Sequence, residues 1–134
     1  MTPGEKLAIE CHAEAEYPLE ACGGIVTKGS DHRLLPWRNI HDEPHKGFCV
    51  HYDDLRQLAL LQERGWELRV IYHSHIDAGD HFSQTDKDQA LANGRPYYPN
   101  VTHVVVSVRK GEVASIASYR WDDSRRDFLK GVFV

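Results

Sequence analysis

The chain has 134 residues and a mass of 15.3 kDa, with 41% hydrophobic and 27% charged residues, which is the balance of a soluble globular protein able to bury its own core. Its 16 Lys and Arg against 20 Asp and Glu leave a net charge of −4, which excludes a general electrostatic pull toward nucleic acid or anionic lipid. No stretch approaches the ~18 apolar residues of a membrane span, while nine histidines are an excess that directs attention to metal or proton chemistry.

In chain order, the segment Met1–Lys6 has no basic stretch leading into an apolar one, so no secretory leader is expected. Leu7, Ala8, Cys11 and Ala15 recur at helical spacing and predict a helix over residues 4–16, stopped at Tyr17-Pro18. Residues 19–26 predict a tight entry into a strand, with Gly23-Gly24 permitting close packing. Residues 32–40 predict a strand interrupted at Pro36, and the alternation of Phe48, Val50 and Tyr52 predicts another. Asp53 or Asp54 is expected to cap a helix carrying Leu55, Leu58, Ala59, Leu61 and Gln62 on one face and closed by Gly65. A strand follows over 68–75, then a loop, then a helix from Ser83 to about Asn93. Val101–Val108 and Glu112–Trp121 predict a hairpin turning at Lys110-Gly111, and Phe128–Val134 a last packed strand or helix fragment. This order predicts one α/β domain spanning residues 1–134, with a mixed, mostly antiparallel sheet flanked by helices. Cys11, Cys22 and Cys49 are too few and too scattered for a disulfide framework, so reduced thiols and a cytoplasmic setting are expected.

The chemistry concentrates in residues 73–86. Residues two apart on a strand share a face, so His73 and His75 project together, as a pair of zinc ligands would. Ser83 stands at a helix start with Asp86 three residues on, a capping arrangement that also aims the Asp86 carboxylate back toward the imidazoles. Two histidines and one carboxylate leave a zinc ion a fourth position for water. Taken singly, each half has a plain structural explanation: a strand with two satisfied histidines, and a helix cap.

His73-Ser74-His75, seven residues, Ser83, two residues and Asp86 reproduce the pattern H-x-H-x7-S-x-x-D, and here the sequence resembles the JAMM (MPN-plus) zinc metalloproteases. The segment Tyr17-Pro18-Leu19-Glu20-Ala21-Cys22-Gly23-Gly24 resembles the family's upstream glutamate segment, and Tyr98-Pro99 with the valine-rich strand at 104–108 resembles its small prokaryotic members. The resemblance implies the family's cytidine-deaminase-like architecture, zinc held by His73, His75 and Asp86, Glu20 as the general base and acid, and Ser83 as donor to the oxyanion. It further implies a small ubiquitin-like or sulfur-carrier protein as substrate, cut at or after its C-terminal Gly-Gly, whose tail could pair with a sheet edge. Dimers occur in the family, so a homodimer is one expectation. Many relatives have Pro after the second histidine where this chain has Ile76, which bears on the loop's shape.

Rival readings are a non-catalytic scaffold that binds a ubiquitin-like partner, and a structural zinc site completed by Cys22 or His81. His12-Ala13-Glu14 matches the H-x-E of zinc deaminases, but the P-C-x-x-C those enzymes need is missing. A RadC-like domain would carry Pro-Ser-Gly where Ile76-Asp77-Ala78 stands. Asp77, Asp80 and His81 are expected to be solvated loop residues or supports for the ligands, and Cys22 a small buried hydrophobe.

Overall fold

In the computed structural model, which describes residues 1–131, Thr2 opens the first helix with a reciprocal cap: its hydroxyl accepts the Glu5 N–H and its own N–H reaches the Glu5 carboxylate. Helix α1 (Pro3–Glu16) buries Ile9 and Ala13. The expected stripe of Leu7, Ala8, Cys11 and Ala15 instead faces outward, with Leu7 61% exposed. Packing selected the other face, because it joins Ile9 and Ala13 to Ile25, Val70, Tyr72 and Val104 and brings the His12 ring to the Tyr72 hydroxyl at 2.6 Å.

Strands β1 (Cys22–Lys28) and β2 (Asp31–Trp37) form a hairpin. Pro36 is tolerated because β2 lies at the sheet edge. Gly23 is required for close approach: a Cβ there would sit 2.3 Å from the Tyr72 hydroxyl. The strand expected around Phe48–Tyr52 is reduced to one bridge between Asn39 and Val50, because the Asn39 side chain takes up the Gly47 and Cys49 backbone groups that a ladder would use. Helix α2 (Tyr52–Glu63) is capped by His51, whose ring Nδ1 accepts the Asp53 N–H, so Asp53 and Asp54 lie inside the first turn. Only Leu58 and Leu61 of its expected apolar face are buried.

Strand β3 (Glu67–Ile76) runs from Gly65 to the histidine pair. Helix α3 (Gln84–Ala90) is shorter than expected. Asn93 and Gly94 both have positive φ and turn the chain into a small hairpin of β4 (Leu91–Ala92) and β5 (Arg95–Pro96), which ends the helix early. β6 (Thr102–Arg109) and β7 (Glu112–Asp122) turn at Lys110-Gly111 as expected, and β8 (Asp127–Gly131) follows. The expected last element extended to Val134; residues 132–134 lie outside the described residues.

The main sheet has the order β2-β1-β3-β6-β7-β8, antiparallel throughout except for the parallel pair β3–β6. The α/β architecture is therefore the one expected. One face is covered by α1 over Val70, Tyr72, Val104, Val106 and Val108. The other carries Val26, Trp37 and the two α2 leucines, and a second aromatic group of Phe82, Tyr119 and Phe128 around Val105. Among the described residues, no helix is long and apolar enough to cross a membrane.

Candidate metal centre and active site

His73 and His75 extend from the end of β3 between two neighbouring strands: Cys22 of β1 pairs with His73, and β6 runs alongside. After Ile76 the chain turns through Asp77, which adopts φ +52 and is clamped there: its carboxylate accepts the Tyr17 hydroxyl and the Lys110 N–H, both at 2.8 Å. Ser107 donates to the Ala78 carbonyl and the Tyr119 hydroxyl to the Asp80 carbonyl. These anchors from the hairpin fix the loop, and the loop fixes the start of α3. There Ser83 and Asp86 cap the helix reciprocally: Ser83 Oγ accepts the Asp86 N–H and Asp86 Oδ2 accepts the Ser83 N–H, each at 3.0 Å.

The result brings three electron-pair donors to one point. His73 Nε2, His75 Nε2 and Asp86 Oδ2 form a triangle with all three sides 3.2 Å. A tetrahedral ion with bonds of roughly 2.0–2.1 Å separates its ligand atoms by about 3.3 Å, so this donor set has the size and chemistry of three zinc ligands. His75 Nδ1 lies 2.8 Å from the Gly79 carbonyl, which turns its Nε2 inward, the support that ligating histidines generally receive. His73 is stacked by Phe48 with ring centroids 4.7 Å apart. Burial raises the Asp86 carboxyl, but its hydrogen bonds with His73 and His75 outweigh this and hold it well below the usual carboxylate range. Burial lowers the affinity of His73 for a proton, which favours the neutral ring that binds a cation. Among the described residues, neither Cys22 nor His81 joins the group, so no fourth protein ligand is drawn from them.

Glu20 is 6% exposed and lines the same cleft of about 350 Å³ as His75, Ser83 and Asp86. Burial pushes its carboxyl up to about 7; His75 opposes that rise and Asp86 adds to it. A second, apolar cleft of about 520 Å³ also reaches His73 and Asp86 and is walled by Trp37, Leu58, Ile71 and Tyr98. The five residues singled out from the sequence thus meet in space. Asp77 and Asp80 hold the loop, His81 packs its ring 5.1 Å from that of His75, and Cys22 is buried with its thiol pushed up to about 12 by desolvation, an inert packing residue. His12 and Glu14 are structural, the latter accepting the Val113 N–H. Sequence reasoning missed Gly79, which contributes a carbonyl that no side-chain pattern encodes, and it placed Phe48 and Asn39 on expected strands without giving either a part in the site.

Residues 6–122 match the family model of prokaryotic homologs of the JAB domain. The chain is 34% identical over 109 residues to the Tail tip assembly protein K of Escherichia phage N15, covering 81% of this chain and 41% of that protein. It is 29% identical over 116 residues to the CysO-cysteine peptidase of Mycobacterium tuberculosis, covering 84% of this chain and 75% of that one. Among solved structures, a protein from Desulfitobacterium hafniense superposes with a TM-score of 0.71 at 20% identity, over 97% of this chain and 87% of that chain, a likeness of fold. One from Salinibacter ruber gives 0.68 at 28% identity, over 99% and 88%. The chain thus spans less than half the length of the phage protein and three quarters of the peptidase.

Proposed function

Because this chain belongs to the prokaryotic homologs of the JAB domain, we propose that residues 1–134 act as one domain, a zinc metallopeptidase of the JAMM type. It hydrolyses a peptide or isopeptide bond at or after the C-terminal Gly-Gly of a small ubiquitin-like or sulfur-carrier protein. The observation that carries this reading is the 3.2 Å triangle of His73, His75 and Asp86 beside a buried Glu20. The similarity to a CysO-cysteine peptidase supports a carrier bearing an amino acid at its end as the substrate class.

His73, His75 and Asp86 would hold the ion, which when bound supplies a Lewis acid and a water acidified to near neutrality. Glu20 takes the proton of the attacking water and delivers it to the nitrogen of the leaving amine. A carboxyl pushed up to about 7 is suited to both halves of that transfer. Ser83 Oγ already accepts the Asp86 N–H, so its own O–H is free to donate to the carbonyl oxygen as charge builds there. Water is consumed, the acyl side gains a carboxylate, and the leaving side gains a hydrogen.

The test is cleavage of a β-grasp carrier extended by a few residues past Gly-Gly. The wild type cleaves it, and Glu20→Gln keeps one zinc while losing about 10²–10⁴-fold in kcat. Wild-type rates in Glu20→Gln would remove Glu20 from its role. A second reading is favoured by the likeness to a phage tail tip assembly protein: a scaffold that binds its partner without turning it over. Binding of carriers with no metal-dependent cleavage of any of them would support that alternative.

A further inference from the structure

The segment between β2 and α2 has almost no regular structure, yet it carries two parts of the site. Phe48 covers His73, and the Pro44 carbonyl accepts the Glu20 N–H at 2.7 Å. The side chain of Asn39 organises this segment. Its Nδ2 donates to the carbonyls of Glu20 and Gly47 at 3.0 Å, with a longer contact to Pro44 at 3.4 Å, and its Oδ1 accepts the N–H groups of His41 and Cys49 at 3.0 Å. Only one orientation of the amide is compatible with these partners, since flipping it would set an acceptor against three carbonyls and donors against two N–H groups.

The backbone of Glu20 is therefore held at both ends, its N–H by Pro44 and its C=O by Asn39. The next residue is held as well: Ala21 N–H donates to Ser74 Oγ at 2.8 Å, and the Ser74 N–H returns to the Ala21 carbonyl at 3.0 Å. Ser74 is fully buried between the two histidines. By contrast, no described residue donates a hydrogen bond to the Glu20 carboxylate, although it lies in the field of His75 and Asp86. The hydrogen bonds that hold Glu20 are therefore those to its backbone.

We propose that Asn39 is a positioning residue for the reaction: it sets Glu20 against the His73–His75–Asp86 group by tying the Glu20 carbonyl to the 39–49 loop. The kinetic part of this inference rests on the peptidase reading above; the structural part does not. Asn39→Asp isolates the effect, because it preserves size and the acceptor for His41 and Cys49 while removing the donors. Asn39→Ala is the second variant should the aspartate fail to fold. Both are expected to bind one zinc with affinity within about threefold of wild type, since no ligand is touched. On the extended Gly-Gly carrier, kcat falls about 10²-fold, the scale of an ångström-level misplacement, while KM stays within about twofold. In a Glu20→Gln background the same substitution costs nothing further, because its effect runs through the missing carboxylate. A crystal structure of zinc-loaded Asn39→Asp shows Glu20 displaced by about 1 Å or more with His73, His75 and Asp86 in place. An equal kcat loss in the Glu20→Gln background, or Glu20 unmoved in that crystal structure, overturns the proposal. If the wild type cleaves no carrier but Glu20 moves as expected, the peptidase reading fails and the positioning role stands.

Discussion

Burial of Glu20 works against folding. Its carboxyl moves from an ordinary 4.5 to about 7 on folding, because desolvation disfavours the charged form. The folded state binds this proton more tightly than the unfolded state, so the contribution of Glu20 to stability is most favourable below about 4.5, declines as pH rises from there through about 7, and levels off above. The decline is on the order of 3 kcal/mol. In metal-free protein, Glu20→Gln is therefore expected to be more stable than wild type by that order at pH 8, and about equal at pH 4, as read from urea denaturation. A glutamine variant no more stable at pH 8 would mean the carboxylate is comfortable where it sits. Asp86→Ala removes one of the three donors and is expected to abolish stoichiometric zinc retention through dialysis, and undiminished zinc content would remove it from the ligand set. His73, His75, Ser83 and Asp86 were legible in the sequence because side-chain type and spacing encode them, the histidines sharing a strand face and Ser83 and Asp86 a helix cap, whereas Glu20 was reached only through the resemblance to the JAMM family. Gly79 and Asn39 were not legible. One acts through a carbonyl and the other through five backbone partners in an irregular loop, and neither arrangement leaves a period in the sequence.

At the scale of elements, helix α1 shows how an apolar pattern can indicate the wrong face. Leu7, Ala8, Cys11 and Ala15 make the longer stripe, but Ile9 and Ala13 are the side chains at 0% exposure. Ile9→Ala is expected to cost about 2–5 kcal/mol, and Leu7→Ala no more than about 0.5 kcal/mol, by chemical denaturation. The reverse order would place α1 on the sheet by its other face. Strands were easier to read than helix faces or caps, because the valines of β6 are buried from both sides and leave little choice of register. Helix α3 ended early because the Asn93-Gly94 turn overrode the continuing helical pattern. Ser83 also belongs to this scale, since it serves both helix and site. Ser83→Ala is expected to lose about 1 kcal/mol as a cap and about 10²-fold or more in kcat as an oxyanion donor. Loss of the first without the second would make it a cap alone.

The whole molecule works as a frame that brings Glu20 beside a His73–His75–Asp86 group that could hold a metal ion. β1 carries Glu20 just before its start, β3 carries the histidines, and the β6–β7 hairpin holds the loop that delivers Asp86. No single element contains the chemistry, so the site exists only once the central pairing of β1, β3 and β6 is made. The most direct test strips the protein with a chelator and restores zinc in steps while turnover of the extended Gly-Gly carrier is followed. Turnover is expected to vanish on stripping and to return in proportion to zinc, levelling at one equivalent. Turnover that survives complete stripping would contradict the account.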